Sequence, residues 1–217
     1  MATKKSTITK DKIVSLYMNY VLEHNEKRKT VFRFSKQNAI SETEFYNFFG
    51  TLESVEKEIF KMFYENTIQL IEKDKEYDSY DMRSKVLSFN FTFFELLTAN
   101  RSYVLFSLKE NKEGFKNLKS LKQFTSHFKD FIITIIDENE NMVSDKISKV
   151  TKPVFAEGAW IQFLFLLKFW MDDTSKSFEK TDVLIEKSVN TVVDLLDTKP
   201  LESLFDLGKF LWKEKMN

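Results

Sequence analysis

The ten residues from Ser41 to Gly50 constrain this chain more than any other stretch. Ser41 is a helix-capping residue and Glu44 stands three places on. The pair predicts a capping box, in which each side chain satisfies a backbone N–H that the first helical turn leaves free. Phe45, Tyr46, Phe48 and Phe49 then crowd a segment too short to fold alone, so it must pack on the helices around it. Gly50 is expected to stop the helix by taking a left-handed conformation. With Phe34 to Ile40 upstream, the pattern predicts two short helices joined by a tight corner, a helix-turn-helix.

The rest of the chain is short of anything that would break a helix. Its 217 residues hold only 4 Gly and 2 Pro, and the β-branched alternation of a strand is rare. The expected fold class is all-α. After a basic arm, helix 1 runs from about Thr9 to His24, with Ile13, Leu16, Tyr17, Tyr20 and Val21 on its inner face. Asn25 ends it, and the basic loop Lys27-Arg28-Lys29 follows. Thr30 caps helix 2, near Val31 to Gln37, and either Phe32 or Phe34 fills the three-helix core. Thr51 caps helix 4, which continues to about Lys73.

The polar run Lys73 to Asp78 marks a junction, followed by helix 5 (about Tyr80 to Ala99) and a short helix 6 (about Tyr103 to Lys109). Helix 7 is read from about Phe115 to Glu138, with a turn at Asp137 to Asn141 and a further short helix to Lys149. Pro153 suits the first turn of helix 8, which ends near Met171. Helix 9 covers Asp182 to Asp197, and a last helix covers Leu201 to about Lys215. The expected domains are a head at 1–50 and a body at 74–217, with helix 4 (about 51–73) connecting them.

Charge and composition remove several function classes. The formal net charge is zero, but residues 1–50 hold nine Lys and Arg against five Asp and Glu, a net +4. A basic N-terminal end is the electrostatic footprint that a nucleic-acid reader needs, and equally an ordinary solvated surface. With 0 Cys there are no disulfides, thiolate metal sites or cysteine nucleophiles, in agreement with a reducing, cytoplasmic setting. No signal peptide is read in Met1 to Ser6. The apolar run Ala159 to Met171 falls short of the ~20 residues a bilayer needs, so no transmembrane helix is expected. His24 and His127 lack ligand spacing, and four Gly cannot build a nucleotide fingerprint. The expectation is no catalytic residues, no metal and no cofactor.

Ala39, Ile40, Ser41, Phe45, Tyr46 and Phe49 resemble the recognition-helix signature of the tetracycline-repressor (TetR) family: small, aliphatic, Ser, then apolar, Tyr, and Phe three further on. The resemblance reaches back to about Thr9, and the helical remainder suits the family's second domain. Four positions depart from the pattern. Ala39 replaces the usual turn Gly, and Glu42 stands where a basic or small residue is common. Glu44 replaces Thr, and Leu52 replaces a Lys that touches phosphate in relatives.

The resemblance implies a one-component transcriptional regulator, a homodimer that sets two helix-turn-helix units on successive major grooves of operator DNA. Ser41, Thr43, Tyr46 and Asn47 would then line the exposed or phosphate-facing side of helix 3, while Lys29 and Thr30 hold backbone phosphate. Glu42 compensates the helix dipole or accepts from cytosine N4. Helices 8 and 9 of each subunit would form the dimer interface, which answers a need already visible: helix 8 is apolar almost all round and would leave a costly patch in a monomer.

The 23 Phe are the compositional oddity. One reading is a core packed with Phe where other proteins use Leu. The other is a cavity lined by Phe91, Phe94, Phe106, Phe128, Phe131, Trp160 and Phe163, taking a small, neutral, hydrophobic ligand. Such a ligand would release DNA by favouring a dimer whose reading heads are wrongly spaced. The acids of helix 3 keep a rival in play, a dimeric ligand-binding or protein-interaction module of the same fold that has lost DNA binding.

Overall fold

The structure, a computed structural model, describes residues 8–24, 30–109, 119–138 and 151–196. Among them the regular elements are all helices and no strand occurs. The helices are α1 (Lys10–His24), α2 (Val31–Gln37), α3 (Glu42–Tyr46), α4 (Leu52–Ile71), α5 (Met82–Ala99), α6 (Arg101–Lys109), α7 (Lys122–Glu138), α8 (Thr151–Asp172) and α9 (Glu179–Leu196). The Asn25 helix end, the 27–29 loop, the start of helix 7 at Phe115, the helix read to Lys149 and the last helix from Leu201 lie outside the described residues.

By packing, the chain forms two compact units: Met1–Thr67 with Phe93–His127, and Ile68–Thr92 with Phe128–Asn217. The division expected at residues 50 and 74 followed function along the chain; this one follows contact, and it runs through α4, α5 and α7.

The first unit is centred on one ring. Phe34 is fully buried, while Phe32 is 60% exposed. Around Phe34 stand Tyr20 at 5.4 Å, Phe45 at 5.7 Å and Tyr17 at 6.1 Å, all edge to face, the arrangement that the ring quadrupoles favour. Each of the three short helices thus delivers at least one ring to a single point. Polar links then fasten α1 to α4: Tyr17 Oη donates to Glu56 at 2.5 Å, and Lys10 donates to Glu58. Burial foremost, and Glu56 after it, push the Tyr17 phenol far above its ordinary range, so it stays protonated and donates. Burial opposes the Glu58 charge, but Lys10 and Lys61 beside it hold its pKa below the usual carboxylate range. Helix α6 packs on α1, and Phe93 stacks on Phe124 at 4.7 Å.

In the second unit Phe128, Trp160 and Phe163 form a ring cluster, with 5.2 Å between Phe128 and Phe163 and 5.5 Å between Trp160 and Phe163. Arg83 donates to Asn190 at 2.8 Å and pairs with Asp194, tying α5 to α9. Lys85 is buried and donates to Glu138 at 2.7 Å. Helix α8 is longer than its apolar run suggested: 152–172 is long and apolar enough to cross a membrane by length and composition. Its buried residues Trp160, Phe163, Leu166, Leu167 and Trp170 belong to this unit's core, and a core helix meets the same criterion.

Gly50 does not act as expected. Helix α3 ends at Tyr46, with Asn47 as C-cap in the right-handed region (φ −65°), and Gly50 takes no left-handed conformation. A tighter turn replaces it: the N–H groups of Phe48 and Phe49 both donate to Phe45 O at 3.0 Å, which brings Phe49 into the core.

Candidate nucleic-acid interface

The α2–α3 corner is built by caps at three of its four helix ends. Thr30 Oγ1 accepts from Arg33 N at 3.3 Å and starts α2. At the other end, Asn38 N donates to Phe34 O and Ile40 N to Ser35 O, both at 3.1 Å. The first continues the helix, and the second is the long bond of a Schellman-type ending, which places a left-handed residue just before Ile40. Ala39 fills that place with φ 53°, where the Cβ makes the conformation costly. The substitution of Ala for turn Gly therefore changes the sequence without changing the corner.

Ser41 then opens α3 as expected. Glu44 N donates to Ser41 Oγ at 3.1 Å, and the Glu44 carboxylate accepts from Ser41 N at 2.8 Å. The carboxylate of Glu44 is thus turned back on the cap. Glu42, by contrast, is half-buried in the first turn, and among the described residues it has no hydrogen-bond or ion-pair partner. Both acids sit at a helix N-terminus, where the backbone dipole favours negative charge.

Phe45 and Phe49 face inward, so the opposite side of α3 is open. Thr43, Tyr46 and Asn47 are exposed and share one face by their i, i+3, i+4 spacing, with Ser41 exposed at the cap. Tyr46 is 53% exposed, its ring held edge-on at 5.6 Å from Phe45. Thr30 is exposed at the α2 cap, and Lys29 lies outside the described residues. Leu52 is buried at the start of α4, and Lys57 one turn and a half on is exposed. Phe48 was missed as an outward-facing residue: its i+3 spacing from Phe45 would put it on the buried face of a continuing helix, but α3 ends at Tyr46 and the tight turn that follows leaves Phe48 exposed.

The seven residues proposed to line a ligand cavity are divided between the two units. Phe94 and Phe106 belong to the first unit, and Phe91, Phe128, Phe131, Trp160 and Phe163 to the second. Phe91 is exposed; Phe94, Phe128, Trp160 and Phe163 are buried. A void of about 50 Å³ does occur in the second unit, among α5, α7, α8 and α9. Its walls include Val86, Ile132, Ile136, Ala159, Val189 and Val192, with Gln162 as the polar exception, and none of the seven lines it. Gln162 donates to Ser188 Oγ at 3.0 Å.

Among the described residues no group of three His, Cys, Asp or Glu is placed to hold a metal ion. The ring nitrogens Nδ1 of His24 and His127 lie 2.8 Å from the carbonyls of Tyr20 and Gln123, each one helical turn back.

A sequence profile of the family described as tetracyclin repressor-like, C-terminal domain, matches residues 85–211. The chain belongs to the TetR family. The α2–α3 corner precedes the matched stretch in the chain. The fold is also similar to that of a crystal structure from Syntrophomonas wolfei str. Goettingen, described as a TetR-family transcriptional regulator. The TM-score is 0.66 at 15% identity, over 88% of this chain and 95% of that one. No curated protein matches the chain. The all-helical fold and the transcriptional-regulator class follow from the TetR match together with the likeness of fold.

Proposed function

We propose that this TetR-family protein is a cytoplasmic, one-component regulator that binds operator DNA as a homodimer and responds to a small hydrophobic ligand. The observation that carries the reading is the outward face of α3. A capping box and the buried Phe45 fix the helix, and Thr43, Tyr46 and Asn47 remain free on one side of it. Hydroxyl and amide groups of this kind contact phosphates and base edges when a short helix enters a major groove. Ser41 and Thr30 sit at helix N-termini, where backbone N–H groups and the helix dipole favour phosphate, and Lys29 would add a cation. Glu42 would read cytosine N4 through a carboxylate that no described residue pairs with.

Dimerisation is assigned to α8 and α9, in keeping with exposed Ile161 and Phe165 on α8 and Val183 on α9. The ligand is expected in the body, at the seven aromatic positions or in the aliphatic void, and both favour a neutral, apolar molecule.

A selection from random duplexes tests the DNA reading. The expected product is a palindrome with half-sites about one helical turn or a multiple apart. Tyr46→Ala and Thr43→Ala should abolish binding with the dimer intact. A second reading, a dimeric module without DNA binding, is favoured by Glu42 and by the loss of a cation at Leu52. Failure to enrich any duplex would establish it.

A further inference from the structure

Two side-chain carbonyls beside the void of the second unit accept nothing from the residues around them. Asn90, on α5, is 3% exposed, and its Nδ2 donates to Val86 O at 2.8 Å. That bond fixes which end of the carboxamide is which, and Oδ1 is left buried with no hydrogen-bond partner among the described residues. Gln162, on α8, is oriented in a similar way. Its Nε2 donates to Ser188 Oγ at 3.0 Å, while the single hydroxyl proton of Ser188 goes to Ile185 O at 3.2 Å. Ser188 can therefore only accept from Gln162, and no described residue donates to Gln162 Oε1.

Both groups belong to one place. Gln162 forms part of the void wall, as do Met82 and Val86 of α5. Asn90 continues the Met82–Val86 stripe one turn further, at the i, i+4 spacing that gathers side chains on one face. Helical side chains lean towards the N-terminus, and the bond to Val86 O holds the Asn90 carboxamide back over the Val86 turn, where the α5 wall of the void ends. A buried acceptor without a donor is costly and rare in folded proteins. Apart from Gln162, the wall has no polar side chain that could serve it.

These features select a ligand class. At about 50 Å³ the void has a third of the ~150 Å³ that admits a benzene ring, so it suits a short carbon chain. The polar groups beside it are acceptors, so the ligand must bring a donor; a ketone, ester or ether would set oxygen against oxygen. No carboxylate lines the void, so an ammonium donor would lose its water without gaining a counter-charge. A hydroxyl meets every condition. We propose that the void binds a small neutral alcohol, with its carbon chain among the aliphatic side chains and its O–H donating to Asn90 Oδ1. Gln162 Oε1 reinforces the exclusion of ligands that can only accept. The inference rests on the ligand reading above and adds to it the ligand's chemical class and the residue that selects it.

Butan-2-ol, butan-2-one and butan-2-amine share one carbon skeleton and separate these cases, the amine being protonated at neutral pH. Each is titrated into the full chain and followed by the methyl resonances of Val86 and Val189. The alcohol should bind about tenfold or more tightly than the ketone or the amine, the ratio that one hydrogen bond carries. Asn90→Leu should bring alcohol and ketone within about twofold of each other and melt no lower than the unmodified chain, because an apolar group replaces an acceptor that the protein does not serve. Asn90→Ala, which adds no bulk, should show the same loss of preference. A ketone that binds the unmodified chain as tightly as the alcohol would overturn the proposal, and so would a preference for alcohol that survives both substitutions. In either case the ligand reading survives. If none of the three compounds moves those methyl resonances, the void is not a ligand site, and the ligand reading loses it together with the proposal.

Discussion

The α2–α3 corner and the α8–α9 turn face the same difficulty and meet it differently. Each puts non-glycine residues in the left-handed region: Ala39 at φ 53° in the first, Ser177 at 52° and Phe178 at 62° in the second. Such residues are held only where their surroundings leave no easier choice. In the corner the holding groups are caps and one shared ring, because helices of seven and five residues have little surface to bury. In the turn they are a buried carboxylate and two long helices. Asp173 accepts from the backbone and hydroxyl of both Ser175 and Thr181, and Phe178 lies 6.2 Å from Trp170. A short helix pair depends on a few directed contacts; a long pair can place its strain between two large packed surfaces.

The sharpest way to break this comparison is to remove the shared ring. Phe34→Ala is expected to cost about 3–5 kcal/mol, and Phe32→Ala two residues away close to nothing. Denaturant unfolding followed by circular dichroism measures both. Equal effects would mean that the corner has no single centre.

The next effect belongs to the turn. Burial works against the charge of Asp173, but the bonds from Ser175 and Thr181 hold its pKa down to about 2. Its unfolded value is near 3.9. The folded state is therefore stabilised by this carboxylate above about pH 5, and the contribution fades as pH falls through 3.9 towards 2. Asp173→Asn should lose about 2 kcal/mol at pH 7, and its deficit relative to the unmodified chain should shrink steadily below pH 4. A deficit independent of pH would mean that shape, not charge, holds the turn.

Smaller effects sharpen the account of the corner. Ser41→Ala removes the capping acceptor and should cost about 1 kcal/mol. Ala39→Gly relieves the left-handed Cβ and should gain about 0.5–1 kcal/mol, less than the full strain because glycine also frees the unfolded chain. Thermal melting would show the two shifts with opposite sign.

How much of this was legible beforehand depended on whether the deciding contact was local. The bounds of α2 and the start of α3 were readable because Thr30, Ser41 and Glu44 cap within three residues of themselves. The choice between Phe32 and Phe34 was not, since it rests on Tyr17, Tyr20 and Phe45, which come from other helices. Gly50 misled for the same reason: the burial of Phe49 sets the turn that precedes it. For α8, the apolar character was plain but its outward arc was not, because a helix apolar on all sides has no preferred inner face in sequence. The cavity reading chose aromatics, yet flat rings such as Trp160 and Phe163 stack and fill space. The void falls among mostly aliphatic side chains, with Phe155 as the one ring in its wall.

The central claim is that the capped α3 head reads duplex DNA, and titrating a selected duplex at several salt concentrations tests it most directly. The account predicts binding whose log affinity falls linearly with log salt, with a loss of roughly 10³-fold or more between 50 and 200 mM, and Tyr46→Ala abolishing it in an intact dimer. Absence of duplex binding across that range, from a folded and dimeric protein, would contradict it.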